Sequence, residues 1–118
     1  MAGPTQTTLI GALLLAAACG GSSASNRMPA QDAANAQAAI RSASTSGAQS
    51  DPRSDMYLSY AKQSASRATK LSKQDEHESA KLLYDDAAAD AELSYQLNML
   101  RQAEAQCQMA KRRLEGAQ

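Results

Sequence analysis

Asp75-Glu76-His77-Glu78-Ser79-Ala80-Lys81-Leu82-Leu83-Tyr84-Asp85-Asp86-Ala87-Ala88-Ala89-Asp90-Ala91-Glu92-Leu93 begins a stretch in which no glycine or proline occurs before Gly116. Alanine, leucine, glutamate, lysine and glutamine dominate it, the residues that lose least on entering a helix. The pattern predicts one helix over residues 75–114, about 60 Å long at ~1.5 Å per residue. Its acidic start (Asp75, Glu76, Glu78) and basic finish (Lys111, Arg112, Arg113) both complement a helix dipole, and Gly116 is available as a terminator. The apolar stripe changes sides along it. Ala80, Leu83, Tyr84, Ala87 and Ala91 share one face, whereas Leu93, Leu97, Leu100, Cys107 and Leu114 lie nearly opposite at ~100° per residue. A straight helix cannot offer both stripes to one neighbour. Either the helix bends near Asp90, or its distal half packs against something else, such as a second copy of the chain.

Upstream, two shorter helices precede this one. Pro29 suits a first helical turn, and Ala33, Ala36, Ile40 and Ala43 recur at spacings of three and four, which predicts a helix over residues 29–46 ending before Gly47. Gln49-Ser50-Asp51-Pro52 reads as a turn, with Asp51 as N-cap and Pro52 as the first residue of the next helix. That helix carries Tyr57, Leu58, Ala61, Ala65, Ala68 and Leu71 on one side and should close near Ser72, where Lys70 and Lys73 face the negative end of the dipole. Strand formers are scarce: the chain has no valine, and its isoleucines are Ile10 and Ile40. The fold class expected is all-α, a small three-helix hairpin or bundle with one long C-terminal helix.

Composition limits the stability of such a bundle. Of 118 residues 43% are hydrophobic, but there is no Phe or Trp and aromatics make up 3%, so the apolar count is mainly alanine. At ~25 cal/mol per Å² an alanine seam stabilises less than one of leucine and phenylalanine. Modest stability, reinforced by self-association, is the expectation. The formal net charge is +0, without the basic excess of a nucleic-acid binder.

The N-terminus carries a different signal. From Met1 to Asn26 there is no Asp, Glu, Lys or Arg, and Leu9 to Ala18 is almost wholly apolar. Such a run has the length of a signal peptide's core and falls short of the ~20 residues a spanning helix needs. It ends Leu13-Leu14-Leu15-Ala16-Ala17-Ala18-Cys19-Gly20, with small side chains at Ala16 and Ala18 beside the cut. The arrangement resembles a bacterial lipoprotein signal, with Ala16 where leucine is usual. The resemblance implies a leader over residues 1–18 and a mature chain beginning at Cys19, which would carry an S-diacylglycerol and an N-acyl group. An ordinary cleavable signal, or an unanchored protein with an apolar N-terminus, are the alternatives. Gly20, where aspartate commonly favours the inner membrane of Gram-negative cells, is compatible with the outer membrane. Residues 19–28 then form a Gly/Ser-rich tether; its uncharged part, residues 20–26, would reach on the order of 25 Å when extended.

The remainder, residues 29–118, resembles the alanine-rich helical domain of undefined function found in Gram-negative envelope lipoproteins, sometimes ahead of an OmpA-like peptidoglycan-binding domain. The residues carrying the likeness are Ala36 and Ile40 with Ala43 and Gly47-Ala48, Tyr60-Ala61 with Ala65 and Ala68, Ala80 with Leu83, and Ala88-Ala89-Asp90-Ala91-Glu92-Leu93. No OmpA-like domain follows in this sequence, so wall binding by that route is not implied.

Reactive constellations are few. His77 is the one histidine, flanked by Glu76 and Glu78 with Lys81 one turn on, and is more simply a surface residue than a metal ligand. Asp86 and Asp90 stand four apart, but neighbouring Asp85 and Glu92 make a solvated acidic face the simpler reading. No phosphate loop, Ser/His/Asp order or Cys-x-x-Cys pair occurs. Cys107 lies on the distal stripe, either at a helix-helix seam where it could cross-link two subunits or as a half-buried small apolar residue. Arg101 and the Lys111-Arg112-Arg113 cluster could touch lipid heads or wall polymer, but the dipole explains three basic residues at a helix C-terminus and is the preferred reading. The reading that results is non-enzymatic, without cofactor, metal or small-molecule substrate. The resemblance implies an envelope lipoprotein anchored through Cys19 to the outer membrane and facing the periplasm. Its distal stripe, Leu93, Leu97, Leu100, Cys107 and Leu114, is the face for a protein partner or for self-association. A self-assembling coiled-coil lipoprotein is the alternative, although the two loop breaks and the ending Gly116-Ala117-Gln118 depart from the single long helix and terminal lysine of that type.

Overall fold

The structure is a computed structural model that describes residues 29–117. They form three helices, α1 (Ala30–Thr45), α2 (Pro52–Lys73) and α3 (His77–Gly116), with a short 3-10 turn, Ala48–Ser50, between the first two. No helix among the described residues is long and apolar enough to cross a membrane. The expected leader (residues 1–18) and the whole of the expected tether (residues 19–28, Cys19 included) lie outside the described residues.

Local chemistry sets each boundary. Gly47 adopts φ +85°, a left-handed conformation that costs glycine nothing, and it turns the chain out of α1. Asp51 is extended, and its carboxylate accepts from the Ser54 backbone N–H at 3.0 Å and the Ser54 hydroxyl at 2.9 Å. It therefore N-caps α2, with Pro52 in the first turn where its missing N–H is not needed. The α2–α3 junction corrects the expected start of the long helix. Asp75 is not its first residue but the left-handed residue closing α2, at φ +62°. The Glu76 N–H donates to the Leu71 carbonyl at 3.0 Å and the Asp75 N–H to that of Ser72 at 3.3 Å. This is a Schellman closure, and aspartate tolerates its left-handed position better than most residues with a Cβ.

Spacing decides the packing. The buried positions run 36, 40, 43 in α1, 54, 58, 61, 65, 68 in α2, and 80, 84, 87, 91, 94, 98 in α3. Alternating steps of four and three are those of helices winding round one another. Apart from Ile40, Leu58 and Tyr84, every buried apolar residue is alanine, so the helices meet through methyl groups. Ala33, Leu71 and Leu83 pack only partly buried against this core, and α1 rests more on α3 than on α2.

The apolar stripe does change sides near Asp90, but the face of α3 packed within the chain does not change with it. Buried steps of four and three continue along α3 from Ala91 through Ser94 to Asn98, both fully buried. What changes is chemistry: the covered face passes from alanine to polar residues, and the leucines pass to the outside. The Ser94 hydroxyl donates to the Ser54 carbonyl at 2.6 Å, and the Asn98 carboxamide donates to the Ser46 carbonyl at 2.7 Å and its hydroxyl at 3.1 Å. These bonds fasten α3 to the start of α2 and the end of α1.

Candidate functional site

The stripe on the distal half of α3 is exposed for two reasons: Leu93 and Leu100 face away from α1 and α2, and beyond Gln102 those neighbours have ended. α3 is covered up to Gln102, whose side chain donates to the Ser46 carbonyl at 3.2 Å. Every residue from 103 to 117 is exposed. The last four turns of α3, about 20 Å at ~1.5 Å per residue, therefore stand beyond the bundle. Leu93 is 41% exposed, Leu100 52% and Leu114 70%. Cys107 is exposed with a free thiol, so within one chain it is not the half-buried apolar residue of the simpler reading. Leu97 alone of the five is partly buried. Met99 and Met109 add exposed apolar surface beside the stripe.

Four polar residues, of which the sequence singled out Arg101 alone and for a different contact, hold the base of this projection. Ser94, Asn98, Arg101 and Gln102 form its root. The Arg101 guanidinium donates to the Ser50 hydroxyl at 3.0 Å and to the Asn98 carboxamide oxygen at 3.4 Å, while its Nε is buried without a partner. Extending the 80-84-87-91 spacing by three and four would have found Ser94 and Asn98. An apolar-only search cannot.

The other candidates are dispersed. His77 is the first residue of α3 and half-buried, with Nε2 3.8 Å from the Asp75 carboxylate and Nδ1 buried without a partner. Among the described residues no three His, Cys, Asp or Glu side chains converge as a metal site would require. Asp86 accepts from the Ser64 hydroxyl at 2.9 Å, tying α3 to α2. Asp90 is partly buried, and this desolvation, helped by the Asp86 charge, raises its pKa above the ordinary carboxylate value. Lys81 donates to Asp85 at 2.6 Å and lies 3.8 Å from Asp32 of α1; the bond to Asp85 is the main cause of its raised pKa. Lys111, Arg112 and Arg113 are exposed on the free end.

An open groove of about 780 Å³ runs between α1 and α3, lined by Arg41, Ser42, Thr45, Tyr95, Met99 and Gln102 among others. Its lining holds no acid, histidine or thiol to act as a base or nucleophile. The arrangement offers a solvent-facing helix with an apolar stripe on a polar-fastened root. No family model matches the chain, and no curated protein or solved structure is similar to it.

Proposed function

We propose that the chain is a membrane-anchored lipoprotein of the cell envelope with a structural or adaptor role and no enzymatic activity. In this reading the apolar run closing at Cys19 is a leader. The Cys19 thiol loses its proton and displaces the phosphate headgroup of a phospholipid, forming a thioether to the diacylglycerol moiety as the headgroup phosphate leaves. Hydrolysis of the Ala18–Cys19 peptide bond then releases residues 1–18, and the new α-amine takes an ester-linked acyl group from a second phospholipid, forming an amide and leaving a lysophospholipid. The Gly/Ser-rich segment holds the bundle off an outer-membrane surface, on its periplasmic side.

The observation that carries the adaptor role is the free end of α3. A helix that outruns its own bundle by about four turns, with Cys107, Met109 and Leu114 exposed along it in continuation of the outward Leu93 and Leu100, adds nothing to the packing of that bundle. It is suited to helix-to-helix docking, where apolar residues at steps of three and four act as anchors.

The test is fatty-acid labelling of the full chain in a Gram-negative host. Label on the wild-type chain that disappears in Cys19→Ala supports the reading. An unlabelled wild-type chain, or label retained by Cys19→Ala, removes the anchor and with it the proposed role.

A further inference from the structure

We infer that the occupant of the free end of α3 is the same segment of a second copy, lying antiparallel about a two-fold axis at Cys107. The inference names the partner for the docking face proposed above, and it holds whether or not Cys19 is acylated.

Three observations choose this occupant. First, the stripe is a heptad seam: Leu93, Leu100, Cys107 and Leu114 recur every seven residues, with Leu97, Glu104 and Lys111 in the alternate places. Second, the seam's charges complement one another only in antiparallel order. With Cys107 on the axis, Leu100 lies beside the partner's Leu114 and Glu104 beside the partner's Lys111. Each contact occurs twice. A parallel pair would instead set Glu104 against the partner's Glu104 and Lys111 against the partner's Lys111, like charges that disfavour that order. Among the described residues, neither Glu104 nor Lys111 has an ion-pair partner within its own chain.

Third, the lengths fit. In this register residues 103–111 of the two free ends lie along one another, and residues 112–116 of each chain continue along the outer side of the other's residues 98–102. Leu100 and Asn98 point about 160° apart around the helix at ~100° per residue. The second copy's end therefore runs along the outer side of α3, away from the face that Ser46 and Ser50 already cover.

Cross-linking of the full chain tests the register. Two forms, Leu100→Cys with Cys107→Ser and Leu114→Cys with Cys107→Ser, are mixed and treated with a short bis-maleimide, and linked peptides are identified by mass spectrometry. Links between residues 100 and 114 of different chains, without links between two residues 100, are expected. Links between two residues 100 indicate a parallel pair and overturn the inference, as does the absence of any link between α3 ends at concentrations where light scattering sees association.

A charge test accompanies it. Glu104→Lys is expected to weaken dimerisation roughly tenfold or more, and adding Lys111→Glu in the same chain to restore it. Glu104 is exposed and outside the bundle, so an unchanged helical signal verifies folding. A wild-type chain that stays monomeric at high concentration overturns the inference. Acylation of Cys19 is read separately by mass, so failure here is distinguishable from failure of the anchor.

Discussion

Asn98 and Leu100 stand two residues apart on α3, and the structure reverses their usual ranking. Asn98 is fully buried and donates two hydrogen bonds to Ser46, whereas Leu100 is 52% exposed. Asn98→Ala removes both bonds, each worth a net ~0.5 to 1.5 kcal/mol. The Ser46 carbonyl keeps the bond from Gln102 at 3.2 Å, so it is not left wholly unsatisfied. With the lost packing of the buried carboxamide, the cost is about 2 to 3 kcal/mol. Leu100→Ala removes a side chain already half in water and costs less than about 1 kcal/mol. In a domain of this size 1 kcal/mol corresponds to roughly 4 to 8 °C in Tm, so Asn98→Ala should lower the midpoint by about 10 to 20 °C. The assay is thermal denaturation followed by helical circular dichroism, at a dilution where the chain is monomeric. If Leu100→Ala costs as much as Asn98→Ala, the root of the projection is not the polar network described here.

Other substitutions probe the alanine seam and the helix ends. Ala87 is fully buried, so Ala87→Leu should overpack the seam and destabilise the bundle by about 1 to 3 kcal/mol, measured by urea denaturation. The Asp51 carboxylate is held below its ordinary pKa chiefly by the Ser54 backbone N–H and then by the Ser54 hydroxyl. Its capping contribution is therefore complete above the ordinary carboxylate value and fades as pH falls through the lowered folded value. Asp51→Ala should lower the midpoint at neutral pH and flatten the acid limb of a stability profile. Asp90 has the opposite sign: its folded pKa is raised, so its ionised form opposes folding above that value. Asp90→Asn should stabilise by less than about 0.5 kcal/mol at neutral pH, the group being mostly solvated, and the gain should vanish in acid as both states protonate.

The three helices were legible because alanine at steps of three and four, Pro29, Pro52 and Asp51 each act locally. Asp75 was misplaced by two residues because an acid before a helix and an acid in a left-handed closure look alike until the Leu71 carbonyl is seen to accept from Glu76. The apparent change of packing side arose from equating the covered face with the apolar one. Ser94 and Asn98 are buried because Ser54 and Ser46 satisfy them, a condition set by tertiary contact. The outward stripe from Leu93 to Leu114 was readable by periodicity. That none of the described residues covers its far end depends on where α1 and α2 stop relative to α3, which only the folded chain defines.

The central claim is that this bundle is tethered through Cys19, and intact-mass and N-terminal peptide spectrometry of the chain extracted from membranes tests it most directly. The account predicts a mature chain beginning at Cys19, without residues 1–18, bearing a thioether-linked diacylglycerol and an amide-linked acyl chain. A mature chain that begins elsewhere, or a Cys19 without lipid, would contradict it.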